Sequence, residues 1–382
     1  MILRSITKIT GQLGLRAWLL FFVYIAIWPV GTEARQARAL WVVRHDVTTQ
    51  TDVVALIAQA QAAGINTLFV QVRGRGDAYY SSELIPPGEN IEEGFDPLRA
   101  CIELGHKASI EVHAWVNVYL AWYPDRKAGE DHILSQHPEW FMVSDDDIDL
   151  GQPEVGVDLV KRGVEGRYLS PANPRVTEHL LQVIGELIDQ YSVDGIHLDY
   201  VRYPNEHYDF SLMAKAAFWT ETGLNAPDEA VSDQKWYDWN RWRSSKVTSL
   251  VRRVKRLLDS QLPGAELSAA VKPDLSLAYS RYGQNWVHWV NRRYLDFVVP
   301  MFYIGTSETI FAKMQTVRKY VQKGRVYAGL GVWNQGAQDT FAQIELVSRA
   351  RLDGFSLFSY KTLVSSHDLQ RGMGRRFGGQ DR

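Results

Sequence analysis

The chain has 382 residues, 46% of them hydrophobic and 23% charged, which is ample for a large buried core and leaves room for one large domain or two ordinary ones. Forty-two basic against 44 acidic side chains give a formal charge of −2, so there is no basic surplus for nucleic acid or for a polybasic membrane surface. A single cysteine, Cys101, excludes an intrachain disulfide and any cysteine-cluster metal site, and is expected as a small buried residue of a helix.

In chain order, Arg4, Lys8 and Arg16 precede the apolar run "AWLLFFVYIAIWPV" at 17–30, followed by "GTEARQA" with small Thr32 and Ala34. This is the pattern of a secretory signal over residues 1–34, cleaved after Ala34, because the run is short for a bilayer span. No cysteine follows it to carry a lipid, so the mature chain, residues 35–382, is expected to be periplasmic or secreted with no stable membrane anchor.

From residue 38, short β-branched and aromatic runs alternate with stretches of helical period. The predicted strands are 38–44, 66–73, 110–118, 194–201, 266–272, 295–303, 325–333 and 352–360. Eight successive βα units define an α/β fold, a (β/α)8 TIM barrel, whose reactive face forms at the C-terminal ends of the strands. A doubly wound open sheet is disfavoured because "RHDVTTQTD" stands where a glycine-rich phosphate loop would follow the first strand. Long insertions at 119–172 and 203–235, after strands three and four, are expected over the pocket. Within the first, "SDDDIDLG" lacks the spacing of a calcium loop and reads as a solvated acidic loop.

Polar and aromatic residues collect at the predicted strand ends. Alternation along a strand puts His113, Trp115 and Asn117 on one face and His197, Asp199 and Val201 on another, both directed into the barrel. Asp199 therefore projects into the barrel mouth, where Arg202 and Arg73 could pair with it or with Asp77, or bind a polar substrate. Tyr303 and Trp333 are candidates for a sugar-contacting floor, whereas the tryptophans of "WYDWNRW" and "NWVHWV" are assigned to packing.

No metal site is predicted, because strand one ends in "RHD" with one histidine where a barrel amidohydrolase needs two. There is no nucleophile elbow and no paired glycine-rich phosphate loops. What remains is carboxylate chemistry in an aromatic cleft, the requirement of glycoside hydrolysis, with no cofactor.

The stretches "VQVRGRGDAYYSS", "HAWVN" and "DGIHLDYVRYP" resemble the glycosyl-hydrolase-like family 10 barrels of the bacterial cell envelope, and the likeness runs from "ARALWV" at 37–42 through "VVPMFY" at 298–303. The resemblance implies a (β/α)8 fold, an extracytoplasmic site and glycosidase-type activity on peptidoglycan glycan strands or a related N-acetylhexosamine polymer. By position it makes Asp199 the strand-four acid, Asp77 the acid after strand two, and His113, Asn117 and Arg202 polar lining.

Two departures stand out. Val201 occupies the place where chitinase-type barrels have their glutamate, and Met301 stands where members of the resembled family often have glutamine. Asp199 is assigned provisionally as nucleophile or charge stabiliser, with Asp77 or Asp274 as proton donor and Glu206 and Glu308 as outside candidates. Arg73, His113, Asn117, His197, Arg202, Tyr303 and Trp333 are the candidate substrate-binding residues. Two carboxylates facing one cleft would favour an enzyme. A lone Asp199 tied up by Arg202 and Arg73 would favour a non-catalytic glycan-binding barrel, and a deacetylase would need a metal triad.

Overall fold

A computed structural model describes residues 36–227 and 233–379; the predicted signal segment, 1–34, lies outside the described residues. All eight predicted barrel strands are present. They are β1 (Ala37–Val42), β2 (Thr67–Arg73), β3 (Glu111–Asn117), β6 (Gly195–Asp199), β7 (Glu266–Val271), β8 (Phe297–Pro300), β9 (Arg325–Gly331) and β10 (Gly354–Phe358). Every pairing is parallel and the sheet closes through β1 on β10 and β2. The remaining two strands, β4 (Leu120–Trp122) and β5 (Arg167–Tyr168), form an antiparallel pair within the insertion after β3.

The helices form where the sequence supplies starts and stops. Thr49 and Asp52 make a reciprocal capping box at the head of helix Gln50–Ala62, satisfying two backbone N–H groups that the helix itself leaves unpaired. Asp96 and Asn173 cap helices that begin with Pro97 and Pro174, whose missing N–H costs nothing at that position. Gly64 turns the chain from a helix back toward the sheet at φ 66°, a conformation costly for any residue with a Cβ. Cys101 is fully buried in helix Pro97–Lys107, and burial pushes its thiol up to about 12, which leaves it unreactive.

Two apolar layers result, as a barrel requires. Outward strand residues such as Leu40, Val70, Val112, Ile196 and Leu357 pack beneath the helices, while Trp41, Phe69, Trp115, Phe297 and Tyr327 fill the interior. A third cluster anchors the insertion after β6, with Phe210 and Phe218 against Trp239 and Trp242 of the long helix Asp233–Gln261. The acidic loop at 144–151 spends its charges internally: Asp145 meets His207 at 2.7 Å, and Asp146 meets Arg162 at 2.6 Å.

The motif "DGIHLDYVRYP" begins with a glycine for a steric reason. A Cβ on Gly195 would stand 2.3 Å from the His113 ring and 2.4 Å from the Glu266 carbonyl oxygen, on either side of β6. Gly195→Ala is expected to destabilise the barrel by about 1–3 kcal/mol, the ordinary cost of overpacking a rigid core. Thermal unfolding of the purified variant checks this, and an unchanged midpoint would refute it.

Candidate active site

The strand ends open into a cavity of about 520 Å³. Asn117 and Asp199 are register partners on β3 and β6, so they project side by side at its base, with Trp115 beneath Asn117 donating Nε1–H to the Asn117 Oδ1 at 3.0 Å. Asn117 in turn donates from Nδ2 to the Gly74 carbonyl at 2.8 Å, which fixes its amide. Tyr303, Trp333 and Phe358 make one wall, the Trp333 ring standing edge-on to Tyr303 at 4.8 Å and remaining 49% exposed.

Asp199 carries the distinctive electrostatics. Burial raises its carboxyl from 3.8 to about 6, and the Tyr200 N–H, which donates to Oδ1 at 2.7 Å, only partly offsets this. No arginine pairs with it; Arg202 reaches instead to Glu165, donating from Nη2 to Oε1 at 2.8 Å. Glu165 comes from the insertion after β3, just ahead of β5, and accepts a second bond at Oε2 from the Tyr168 hydroxyl at 2.8 Å. Burial acts to raise Glu165, but Arg202 and the Tyr168 hydroxyl outweigh it and hold the carboxyl below its ordinary value. One cavity therefore holds two carboxyl groups whose surroundings push them in opposite directions.

Cations surround them. Arg202 is stacked over Tyr200 at 4.9 Å and Tyr282 at 5.3 Å. Arg44 bonds Gln71 Oε1 at 3.0 Å and the Tyr123 hydroxyl at 2.8 Å. Lys272, at the end of β7, is lowered to about 8, first by burial and then by the neighbouring Arg202 charge.

Several predicted site residues lie elsewhere. His197 and His113 do face the barrel interior, but beneath the cavity floor. His197 is stacked flat on Phe69 at 4.0 Å, accepts at Nε2 from Trp41 Nε1–H and meets the Ser268 hydroxyl at Nδ1. His113 lies edge-on between Phe69 and Phe297, and burial lowers it to about 4. Both are neutral core residues out of reach of a ligand in the cavity.

Arg73 leaves the inward face because a bulge interrupts the β2–β3 register between Gln71 and Arg73. Its guanidinium is fully buried and bonds the Asn117 and Val118 carbonyls. Gln71 keeps the inward position.

Neither acid expected as Asp199's partner lines the cavity. Asp77 accepts from the Gly74 and Arg75 N–H groups at 3.1 and 2.6 Å and holds the loop after β2 in shape. Asp274 caps helix Leu275–Ser280 through the Leu277 N–H at 3.0 Å. Glu206 pairs with Arg281 at 2.8 Å, and Glu308 sits exposed in the first turn of helix Ser307–Tyr320. Val201 is also displaced: β6 ends at Asp199, Tyr200 adopts φ 48°, and the reversal sends Val201 into the outer core and the Tyr200 ring to the cavity. Asp199, Asn117, Arg202, Tyr303 and Trp333 are the predicted residues that the fold brings together.

A closed (β/α)8 barrel with paired carboxyl groups in an aromatic-walled mouth defines a glycoside hydrolase-like barrel. The chain belongs to the Glycosyl hydrolase-like 10 family, whose model matches residues 27–333. Among its curated relatives, Glycosyl hydrolase YngK of Bacillus subtilis is 24% identical over 65% of this chain and 48% of its own length. Glycosyl hydrolase DigH of Escherichia coli K12 is 24% identical over 72% of this chain and 64% of its own. The chain thus spans about half to two thirds of these relatives. In solved structures, the PgaB (BpsB) glycoside hydrolase domain of Bordetella bronchiseptica superposes with a TM-score of 0.68 at 13% identity, covering 88% of this chain and 98% of that one. A Geobacillus-type barrel of another family, the Gan42B β-galactosidase of G. stearothermophilus, gives 0.60 at 11% identity, covering 90% and 57%. Both likenesses are of fold.

Proposed function

We propose that this protein is a glycoside hydrolase in which Asp199 donates the proton to the glycosidic oxygen and Glu165 is the ionised partner. The observation that carries the reading is the convergence of these two carboxyl groups, from β6 and from the β3 insertion, on one cavity in opposite electrostatic settings. Such divergence separates acid from base in carboxylate glycosidases. The provisional roles are therefore exchanged: Asp199, held protonated to higher pH, suits the acid, and the second carboxylate is Glu165.

The reaction follows from the placement. As the bond between the anomeric carbon and the bridging oxygen breaks, Asp199 gives its proton to the departing oxygen, and the oxocarbenium-like charge develops toward ionised Glu165. Water supplies hydroxide to the anomeric carbon, and its remaining proton restores Asp199. Arg202 and the Tyr168 hydroxyl keep Glu165 charged and oriented through this cycle.

The substrate we infer is a cell-envelope N-acetylhexosamine polymer, most directly peptidoglycan glycan strands freed of peptide. Arg44, Arg75, Arg202, Lys272 and Lys313 line the cavity against only Asp199 and Glu165, a balance that favours units bearing carboxylates. The reading also places the mature chain, residues 35–382, outside the cytoplasm after signal cleavage. No helix among the described residues is long and apolar enough to cross a membrane.

Purified residues 35–382 should release saccharides from peptide-stripped peptidoglycan faster than from the intact polymer. Equal rates on both would refute the substrate assignment. Trp333→Ala should weaken glycan binding about tenfold by removing the exposed ring face, with little loss of stability because half of that ring is already in water. Titration calorimetry alongside thermal unfolding checks both parts, and unchanged affinity would remove Trp333 from the site.

A further inference from the structure

A second cavity, of about 660 Å³, adjoins the first and is the larger of the two. They share Pro273 and Lys313 as a common wall. One side of the second cavity is a single stripe of helix Ser307–Tyr320, made by Ala312, Thr316 and Tyr320 at a spacing of four. At 1.5 Å per residue this stripe extends about 12 Å along the helix. The facing side comes from the segment after β7 and includes Tyr279 and Asn285.

The surfaces of this groove are those of a saccharide site. The Tyr320 ring is 50% exposed, an unusual place for a large aromatic that contributes nothing to the core. Asn285 begins helix Trp286–Asn291 without its side chain making the capping bond normal for asparagine there. Thr316 and Ala312 are exposed and small, which leaves the space between the walls open.

We infer that the groove past Pro273 and Lys313 holds further units of the same glycan chain, so that the enzyme grips a long strand and cuts within it. The inference rests on the glycan reading of the Asp199 cavity. A single cavity of about 520 Å³ accommodates a short oligosaccharide; a strand that continues from it across the shared wall meets Lys313, then the stripe down to Tyr320. Binding along both cavities adds contacts with each added unit, so affinity should grow with chain length.

The test uses glycan strands freed of peptide and fractionated by length, with binding of the full chain measured by titration calorimetry. For the parent protein, long strands should bind at least about tenfold more tightly than a single disaccharide unit. Ala312→Trp, which fills the groove from an exposed helix position, and Tyr320→Ala, which removes its ring, should each collapse that ratio. Equal affinity for all lengths in the parent overturns the inference. So does a ratio that survives both variants, or an equal loss for short and long strands. Tight binding of short strands with any of these results leaves the proposed glycan site standing, whereas failure of the parent to bind any strand sinks both.

Discussion

Asp199→Asn abolishes most turnover, by about 10³-fold in kcat, and at the same time makes the protein more stable at neutral pH. The first effect is the loss of general acid catalysis. The second follows from linkage. The Asp199 carboxyl stands near 3.8 in an unfolded chain and at about 6 in the folded one, so the stabilising proton is fully present below 3.8 and is lost as pH rises through 6. Above that pH the folded protein carries a buried carboxylate at a cost of about 3 kcal/mol, taking ~1.4 kcal/mol per pH unit. An asparagine does not ionise and avoids the cost. Thermal unfolding of both proteins at pH 8 and pH 4 should show the variant's advantage at the higher pH and its disappearance at the lower. A variant that is less stable at both would show that Asp199 is a structural residue.

The dependence of kcat/KM on pH is the second large effect. Activity requires Asp199 protonated and Glu165 ionised, so the rate should fall on the alkaline side through a midpoint near 6 and on the acid side below the ordinary glutamate range. Glu165→Gln should lower kcat by about 10²–10⁴-fold and erase the acid limb while keeping the alkaline one. Asp77→Asn and Asp274→Asn, which alter a loop turn and a helix cap, should keep both limbs. If the acid limb persists in Glu165→Gln, another group is the ionised partner.

These expectations show where the sequence is legible. The eight strands are readable because a strand buried on both faces must be a short apolar run, and because helix caps such as Thr49 and Asp96 mark the boundaries between them. The inward placement of Asn117 and Asp199 follows from strict alternation. Alternation fails wherever the backbone leaves the ladder. The bulge at Gln71 and Arg73 exchanges which of the two faces inward, and the positive φ of Tyr200 sends Val201 to the core. Neither change has a local composition signal, since bulges and single reversals depend on the neighbouring strand.

Depth is also invisible to alternation. His113 and Asn117 lie on one face of one strand, four residues apart, yet only Asn117 reaches the cavity because the barrel interior is filled in layers. Glu165 was out of reach for a different reason. It sits on a long insertion with no periodicity, and its position is set by the return of that loop as β5 against β4, a contact between residues more than forty apart. The nearest hint is the acid directly ahead of "GRYLSPANP", where the insertion rejoins the helix capped by Asn173. Lys272 is visible at its strand end, but its lowered affinity for a proton comes from burial beside Arg202.

The most direct test of the account is the mass of the products released from peptide-stripped glycan strands in heavy-oxygen water, with the parent protein and Asp199→Asn side by side. The account predicts saccharides carrying one heavy oxygen at the new reducing end from the parent, and none from the variant, which still binds the strands. Products that have gained no water, or equal release by both proteins, would contradict it.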